Sequence, residues 1–353
     1  MDLSAGLRGG PSLEVSGVER IAVFRALHLG DYLCSVPALR ALKDRFPDAE
    51  VTLIGLRWTR DVLERYPCVD RFLEFPGYQG LEGVAWDRSR TEEFLAEAYR
   101  CRYDLAIQMH GDGRLSNGFV ARLGARASLG YGPGDGMDRR QLDVELPWSR
   151  SDHEIRRWLR LVNVVGAIGA PELEFPLLPE DWMEAERVAS ECGIDLGRPV
   201  IGLHPGGRDA AKRWPPERFA RVADRLAGES GAQVVITGTR EELDIARRVA
   251  VALRAVDARV ATGRTSIGAV AALVSRMQLL VTNDTGISHL AAALGVPSVV
   301  LFGPTDPNRW APLDTRSHAA VWSGPGNPIT AISVDQVVEA ALAVVERWAF
   351  QTY

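Results

Sequence analysis

The chain alternates short apolar runs with helix-length amphipathic segments, and it does so twice. That rhythm marks parallel α/β sheets, because two parallel strands need a crossover long enough to carry the chain back, usually a helix. Ile21–Phe24 predicts the first strand, followed by a loop over Arg25–Tyr32 and a helix with Val36, Leu39, Leu42 and Phe46 on roughly one face. Val51–Leu56 and Asp104–Met109 predict further strands. A helix over Asn117–Leu123 should stop at Gly124, a residue suited to the left-handed turn that ends helices. Residues 150–168 predict a helical stretch with a basic face. Gly169–Glu180 then breaks the pattern with Pro171, Pro176 and Pro179, and reads as a linker.

A second series follows. Trp182–Cys192 predicts a helix, Val200–Leu203 a strand, and Phe219, Val222 and Leu226 lie at helical spacing. Gln233–Thr237 predicts a strand and Leu243–Leu253 a helix. Leu279–Val281 and Ser298–Phe302 predict strands, with a helix Gly286–Leu294 between them that stops at Gly295. Val334–Trp348 predicts the last helix. The length, 353 residues, agrees with two domains, since single cores rarely grow past roughly 250–300 residues. The expected division is a loose Gly- and Ser-rich tail over 1–19, one α/β domain over 20–175, a second over 176–332, and a terminal segment over 333–353.

Composition narrows the function. A net charge of -5 argues against a broad nucleic-acid surface. The four cysteines, Cys34, Cys68, Cys101 and Cys192, are far apart and form neither a CxxC nor a Cys/His ligand spacing. A disulfide scaffold and a zinc site both fit poorly, and a reduced compartment fits well. No apolar run reaches the ~18–20 residues that span a bilayer, and the N-terminus lacks the apolar stretch of a signal peptide. The expectation is a cytoplasmic enzyme that touches a membrane at most and does not cross it.

In open parallel sheets, ligands bind beyond the carboxyl ends of the strands. The polar motifs of this chain sit there. The first is Arg25-Ala-Leu-His-Leu-Gly-Asp31, with Pro37 after it. Asp31 can cap the following helix or serve as a general base, and Gly30 allows close approach. The second runs from His204 to Pro215 as HPGGRDAAKRWP. Gly206 and Gly207 can form an anion-binding backbone nest beside Arg208, Lys212 and Arg213, or the stretch can be a solvated loop. The third is NDTGISHL, Asn283–Leu290. Asp284 or Thr285 can cap the helix, or its free N–H groups at Gly286 can meet an anion, and His289 can pack. The fourth is FGPTDPNRW, Phe302–Trp310, where Thr305 is a phosphate or sugar contact or a turn hydroxyl. Neither a Walker loop nor a GxGxxG after a strand is present. Gly132, Gly134 and Gly136 fall in a turn-rich stretch over Tyr131–Met137 instead.

Taken in order, these four motifs resemble glycosyltransferase family 9, the heptosyltransferases of lipopolysaccharide inner-core synthesis and their relatives. The resemblance runs from about Ile21 to Trp310. It implies an α/β protein of GT-B fold, two Rossmann-like parallel-sheet domains facing a central cleft. The first half would hold a glycan or glycolipid acceptor, the second a nucleotide-diphosphate sugar, and the last helix would cross back to the first domain. It also implies an inverting, metal-independent transfer with no cofactor, heptose coming from ADP-heptose. By resemblance, Asp31 is the catalytic carboxylate and Lys212 the phosphate-side lysine. Asp284, Thr285 and Gly286 form the donor turn, with His289 one helical turn on. Glu242, next to Glu241, lies where the family places an acidic residue for the ribose. Gly206, Gly207, Arg208, Arg213 and Thr305 complete the donor side. The segment Gln108–Asn117 resembles the acceptor loop, so His110, Asp112 and Arg114 either select the acceptor or form a turn.

The chain departs from the family pattern at Gly206-Gly207. Heptosyltransferases often carry hydroxyl residues there, whereas glycines offer only backbone N–H groups, which leaves the donor sugar open. A GT-B transferase or epimerase using a UDP-, GDP- or dTDP-sugar is one alternative. A non-catalytic nucleotide-sugar-binding protein is another, and Asp31 counts against it. A Rossmann dehydrogenase fits worse, for want of the dinucleotide fingerprint.

Overall fold

A computed structural model describes residues 12–133 and 141–349. The first part of the expected tail, residues 1–11, and the glycines Gly134 and Gly136 lie outside the described residues. The chain divides into two compact units, Met1–Glu172 and Leu173–Tyr353. The division falls inside the proline-bearing segment Gly169–Glu180.

The first unit is built on six parallel strands: β1 (Arg20–Phe24), β2 (Glu50–Gly55), β3 (Arg71–Glu74), β4 (Leu105–Gln108), β5 (Ala127–Gly132) and β6 (Val144–Pro147). Their order is β3-β2-β1-β4-β5-β6. The second unit has six more: β7 (Val200–His204), β8 (Gln233–Ile236), β9 (Ala258–Val260), β10 (Leu279–Asn283), β11 (Ser298–Phe302) and β12 (His318–Trp322). Read from β9, their order is β9-β8-β7-β10-β11-β12. Both units thus have the doubly wound 3-2-1-4-5-6 order, and the fold is α/β, two Rossmann-like units of the GT-B class.

The central strands are apolar on both faces because helices cover both. Ile21, Ala22, Val23 and Phe24 are fully buried, as are Leu280 and Val281. That is why β1, β2, β4, β7, β8, β10 and β11 are legible as apolar runs. The edge strands β3, β6, β9 and β12 are short and mostly half-buried, and the sequence reading does not find them. It also overlooks the interior strand β5, Ala-Ser-Leu-Gly-Tyr-Gly, whose two glycines hide its pattern. The helices Arg88–Arg100 and Ile267–Val274 go unread too. The second has no polar face to set a period, since most of its residues are buried.

Gly124 and Gly295 take the positive φ that the helix stops require. The final helix, Val334–Ala349, places its described side chains Val337, Ala341 and Val344 in the core of the second unit with Phe219 and Val222.

The strand order has one consequence for function. Between β1 and β4, and again between β7 and β10, successive crossovers depart in opposite directions, so the loops beyond the strand ends diverge and leave a crevice. The motif Arg25–Asp31 leaves β1, and His110 follows β4. His204–Trp214 leaves β7, and Asp284–His289 follows β10. Three of the four sequence motifs therefore lie at a switch point of one unit or the other.

Candidate active site

At the first switch point, Arg25 is the residue after β1. Its guanidinium is buried and makes three hydrogen bonds, each to a backbone carbonyl. Nε and Nη2 donate to Asp31 O at 3.1 and 2.5 Å, and Nη1 donates to Met109 O at 2.6 Å. Its flat face lies 4.6 Å from the Trp158 ring centre. Asp31 sits inside the short helix Leu29–Leu33, and the cap position belongs to His28. This corrects the reading of Asp31 as a helix cap. Its carboxylate is 26% exposed, with Oδ1 3.6 Å from Arg25 Nη2.

His110 stacks on Phe24, ring centres 4.8 Å apart. Burial first, and the Arg25 cation second, pull its pKa from the ordinary 6.5 to about 3. The imidazole is therefore neutral, and its Nδ1 finds no hydrogen-bond partner in the structure. Asp112 and Arg114 bond to each other: Arg114 N donates to Asp112 Oδ1 at 3.2 Å and Arg114 Nε to Oδ2 at 3.1 Å. Both are exposed, and the turn they close needs Gly113, where φ is +86° and a Cβ would collide with Tyr131 O. Sequence reasoning gave no role to Gln108, the last residue of β4. Its buried amide donates to His110 O at 2.5 Å and to Ser116 Oγ at 2.6 Å, and so shapes the loop.

The second switch point is more tightly cross-bonded. Lys212 Nζ lies 2.8 Å from Asp284 Oδ2, the lysine 30% exposed and the aspartate 6%. Asp284 is therefore a partner for Lys212 and not the helix cap. Thr285 occupies the cap position of the helix Gly286–Ala293, but its side chain makes no capping bond. Thr285 thus gives the N–H groups of that first turn no side-chain acceptor, and the helix start carries a partial positive charge.

Glu242 occupies the Gly206-Gly207 turn. The Gly206-Gly207 nest does not stand open, because Gly207 N donates to Glu242 Oε1 at 2.6 Å. Glu242 Oε2 accepts from Thr239 N at 2.7 Å. A Cβ on Gly206 would collide with the Glu242 carboxylate, so the glycine makes room for the acid. Arg213 Nε donates to Gly207 O at 2.5 Å and Arg213 Nη2 to Arg208 O at 3.2 Å, bracing the loop from its other side. The Arg208 side chain is exposed. His204, at the end of β7, bonds Thr237 Oγ1 through Nδ1 at 3.0 Å, and burial lowers its pKa.

Asn283, the last residue of β10, is fully buried. Its Nδ2 donates to Pro205 O and Gly206 O, both at 2.9 Å, while Oδ1 accepts from Trp214 N at 3.1 Å. Sequence reasoning had Asn283 within a motif but gave it no role. The available signal was a polar amide closing an apolar central strand. His289 is buried with its ring edge toward Trp310, 6.0 Å between centres, as its packed reading requires. Thr305 lies half-buried in the bend before the helix Pro307–Trp310, which Asp306 caps through Asn308 N at 2.9 Å.

Among the described residues, no group of three or more His, Cys, Asp or Glu side chains could hold a metal ion, and no helix is long and apolar enough to cross a membrane. One unit thus presents an accessible carboxylate beside a buried cation. The other presents a lysine and an uncapped helix start, suited to an anion.

Comparison with known proteins identifies the family. Residues 94–329 match glycosyltransferase family 9 (heptosyltransferase). The chain is 30% identical over 320 residues to lipopolysaccharide heptosyltransferase 2 of Salmonella typhimurium, covering 85% of this chain and 87% of the relative. A solved glycosyl transferase family 9 structure from Veillonella parvula superposes with a TM-score of 0.78 at 24% identity, over 95% of this chain and 99% of that one. The ADP-heptose lipopolysaccharide heptosyltransferase II of Escherichia coli superposes with a TM-score of 0.72 at 24% identity, over 94% and 99%. The chain belongs to glycosyltransferase family 9, and it is a glycosyltransferase.

Proposed function

We propose that this enzyme moves a heptose from ADP-heptose to a hydroxyl of a glycan or glycolipid acceptor in lipopolysaccharide core synthesis, with inversion and without a metal. The observation that carries the reading is the opposite chemistry of the two switch points. A partly exposed carboxylate, Asp31, stands at one. Lys212 and the uncapped helix start at Gly286 stand at the other. The Salmonella and E. coli relatives supply the sugar and the nucleotide of the proposal.

In this mechanism Asp31 takes the proton of the acceptor hydroxyl as its oxygen attacks the anomeric carbon. The bond from that carbon to the diphosphate oxygen breaks in the same displacement, and ADP leaves with the electron pair. Lys212 and the helix N–H groups stabilise the charge that develops on the diphosphate. Thr285 and Gly286 hold the phosphates, and Asp284 orients Lys212. Glu242 keeps lone pairs beyond its two backbone bonds, enough to accept a ribose hydroxyl. Gly206, Gly207, Arg208, Arg213, His289 and Thr305 shape the donor side. His110, Asp112 and Arg114 shape the acceptor side. A lipid-borne acceptor would bring the cytoplasmic enzyme to the surface of the inner membrane.

The test is turnover of purified protein against a panel of ADP-, GDP-, UDP- and dTDP-sugars, with and without EDTA, and the anomeric configuration of the product. Turnover of ADP-heptose, inverted and indifferent to EDTA, is the expected result. Use of a UDP-sugar, epimerisation without acceptor, or nucleotide binding with no turnover would each overturn the reading.

A further inference from the structure

We infer that Arg25 is a positioning residue for the transfer, acting through Asp31: it sets where the carboxylate stands by tying the Asp31 main chain to the loop after β4. This rests on Asp31 being the base.

Arg25 spends its hydrogen-bonding capacity in an unusual way. A buried guanidinium needs compensation, and a carboxylate held edge-on is the usual partner. Here the carboxylate oxygen is 3.6 Å away, beyond hydrogen-bond range, while three N–H groups go to carbonyls. Two of them grip Asp31 O from one edge of the fork, and the third reaches Met109 O from the other. These carbonyls lie on opposite sides of the switch point, one after β1 and one after β4. A rigid planar fork therefore fixes the distance between the two loops, and Trp158 beneath it fixes the plane.

The consequence is that the Asp31 carboxylate projects from a pinned backbone without its oxygens being consumed. Its lone pairs stay available to a proton. The helix Leu29–Leu33 that carries Asp31 is only five residues long, too short to hold its own orientation. Arg25 supplies that orientation from outside. Lysine cannot replace it, because a single ammonium on a flexible stem cannot meet two carbonyls that Arg25 reaches from opposite edges.

The experiment is a double-mutant cycle on the full chain with Arg25→Lys, Asp31→Ala and the pair, measuring kcat, KM for the donor sugar and ADP affinity. Arg25→Lys should lower kcat about 10–100-fold, the scale set by a displacement near 1 Å, with ADP affinity and donor KM unchanged. In the Asp31→Ala background the same change should alter kcat by less than about twofold, because the residue it acts through is gone. An equal loss in both backgrounds, or a parallel loss of ADP affinity, would overturn the inference as a general folding effect. Wild-type kcat in Asp31→Ala alone would instead remove the base assignment, and this inference with it. If Arg25→Lys fails to fold, Arg25→Gln, neutral and able to donate to one carbonyl, runs the same cycle with the same outcomes.

Discussion

The two switch points have the same strand order but opposite states of satisfaction. Each fourth strand ends in a fully buried amide, Gln108 on β4 and Asn283 on β10, and each amide stitches the loops around it. Beyond that the two regions part. In the second unit the charged groups neutralise one another or grip backbone: Lys212 with Asp284, Glu242 with two N–H groups, Arg213 with two carbonyls. In the first unit the Asp31 carboxylate keeps a looser contact, and buried polar atoms such as His110 Nδ1, Tyr32 Oη and Trp158 Nε1 have no hydrogen-bond partner. Among the described residues, no side chain of the second unit shares that condition. Strand order thus decides where a ligand can bind, and the loop residues decide what it can be. A site of mutually satisfied charges is preorganised for one constant anion. In the first unit it is the partly exposed Asp31 carboxylate, held at 3.6 Å from Arg25, that leaves lone pairs for the proposed proton transfer.

The sharpest break would come from the carboxylate. Asp31→Asn, close in shape and unable to take the proton, should lower kcat about 10²–10⁴-fold while calorimetry shows ADP binding intact. Loss of both together would erase the division of labour between units. Next is Asn283→Leu. It strands two buried carbonyls and one N–H, each costing about 1–3 kcal/mol, so chemical denaturation should show a destabilisation of several kcal/mol. A loss below about 1 kcal/mol would show that the β7 loop does not depend on that stitch.

Lys212→Ala should then weaken ADP by about 1.5–3 kcal/mol, roughly tenfold to a hundredfold, and leave adenosine affinity unchanged. At the proposed donor site it would remove a phosphate partner and leave Asp284 without its Lys212 counter-ion, facing the anion. Equal losses for ADP and adenosine would count against a phosphate role. The smallest effect is on pH. His110, pulled to about 3, and His318, pulled to about 4, both chiefly by burial, are neutral when folded. Their lowered pKa values contribute stability that is complete above the ordinary 6.5 and is lost as the unfolded state takes up protons, from about 6.5 down toward those two values. Each can add up to about 1.4 kcal/mol per pH unit to that slope. Denaturant midpoints between pH 7 and pH 5 should fall less steeply in His110→Leu, from the first unit, and in His318→Asn, from the second. An unchanged slope in either would show that its histidine is already solvated when folded.

Much of this molecule was legible in one dimension. Apolar runs such as Ile21–Phe24 and Ser298–Phe302 declare buried parallel strands because both of their faces are covered. Gly124 and Gly295 mark helix ends, and polar motifs concentrate at strand ends because nowhere else in such a sheet does backbone come free to bind. Those are local properties, and local physics writes them into neighbouring residues. The edge strands β3, β6, β9 and β12 left no such mark, since a short, half-exposed strand needs its neighbour to define it.

The pairings were decided by tertiary structure alone. Lys212 meets Asp284 across 72 residues, Gly207 meets Glu242 across 35, and Arg25 meets Met109 across 84. The sequence placed each of these groups at a strand end. Which of them share a hydrogen bond follows only from the strand order, which sets β4 beside β1 and both β8 and β10 beside β7, and so brings together loops that are remote along the chain.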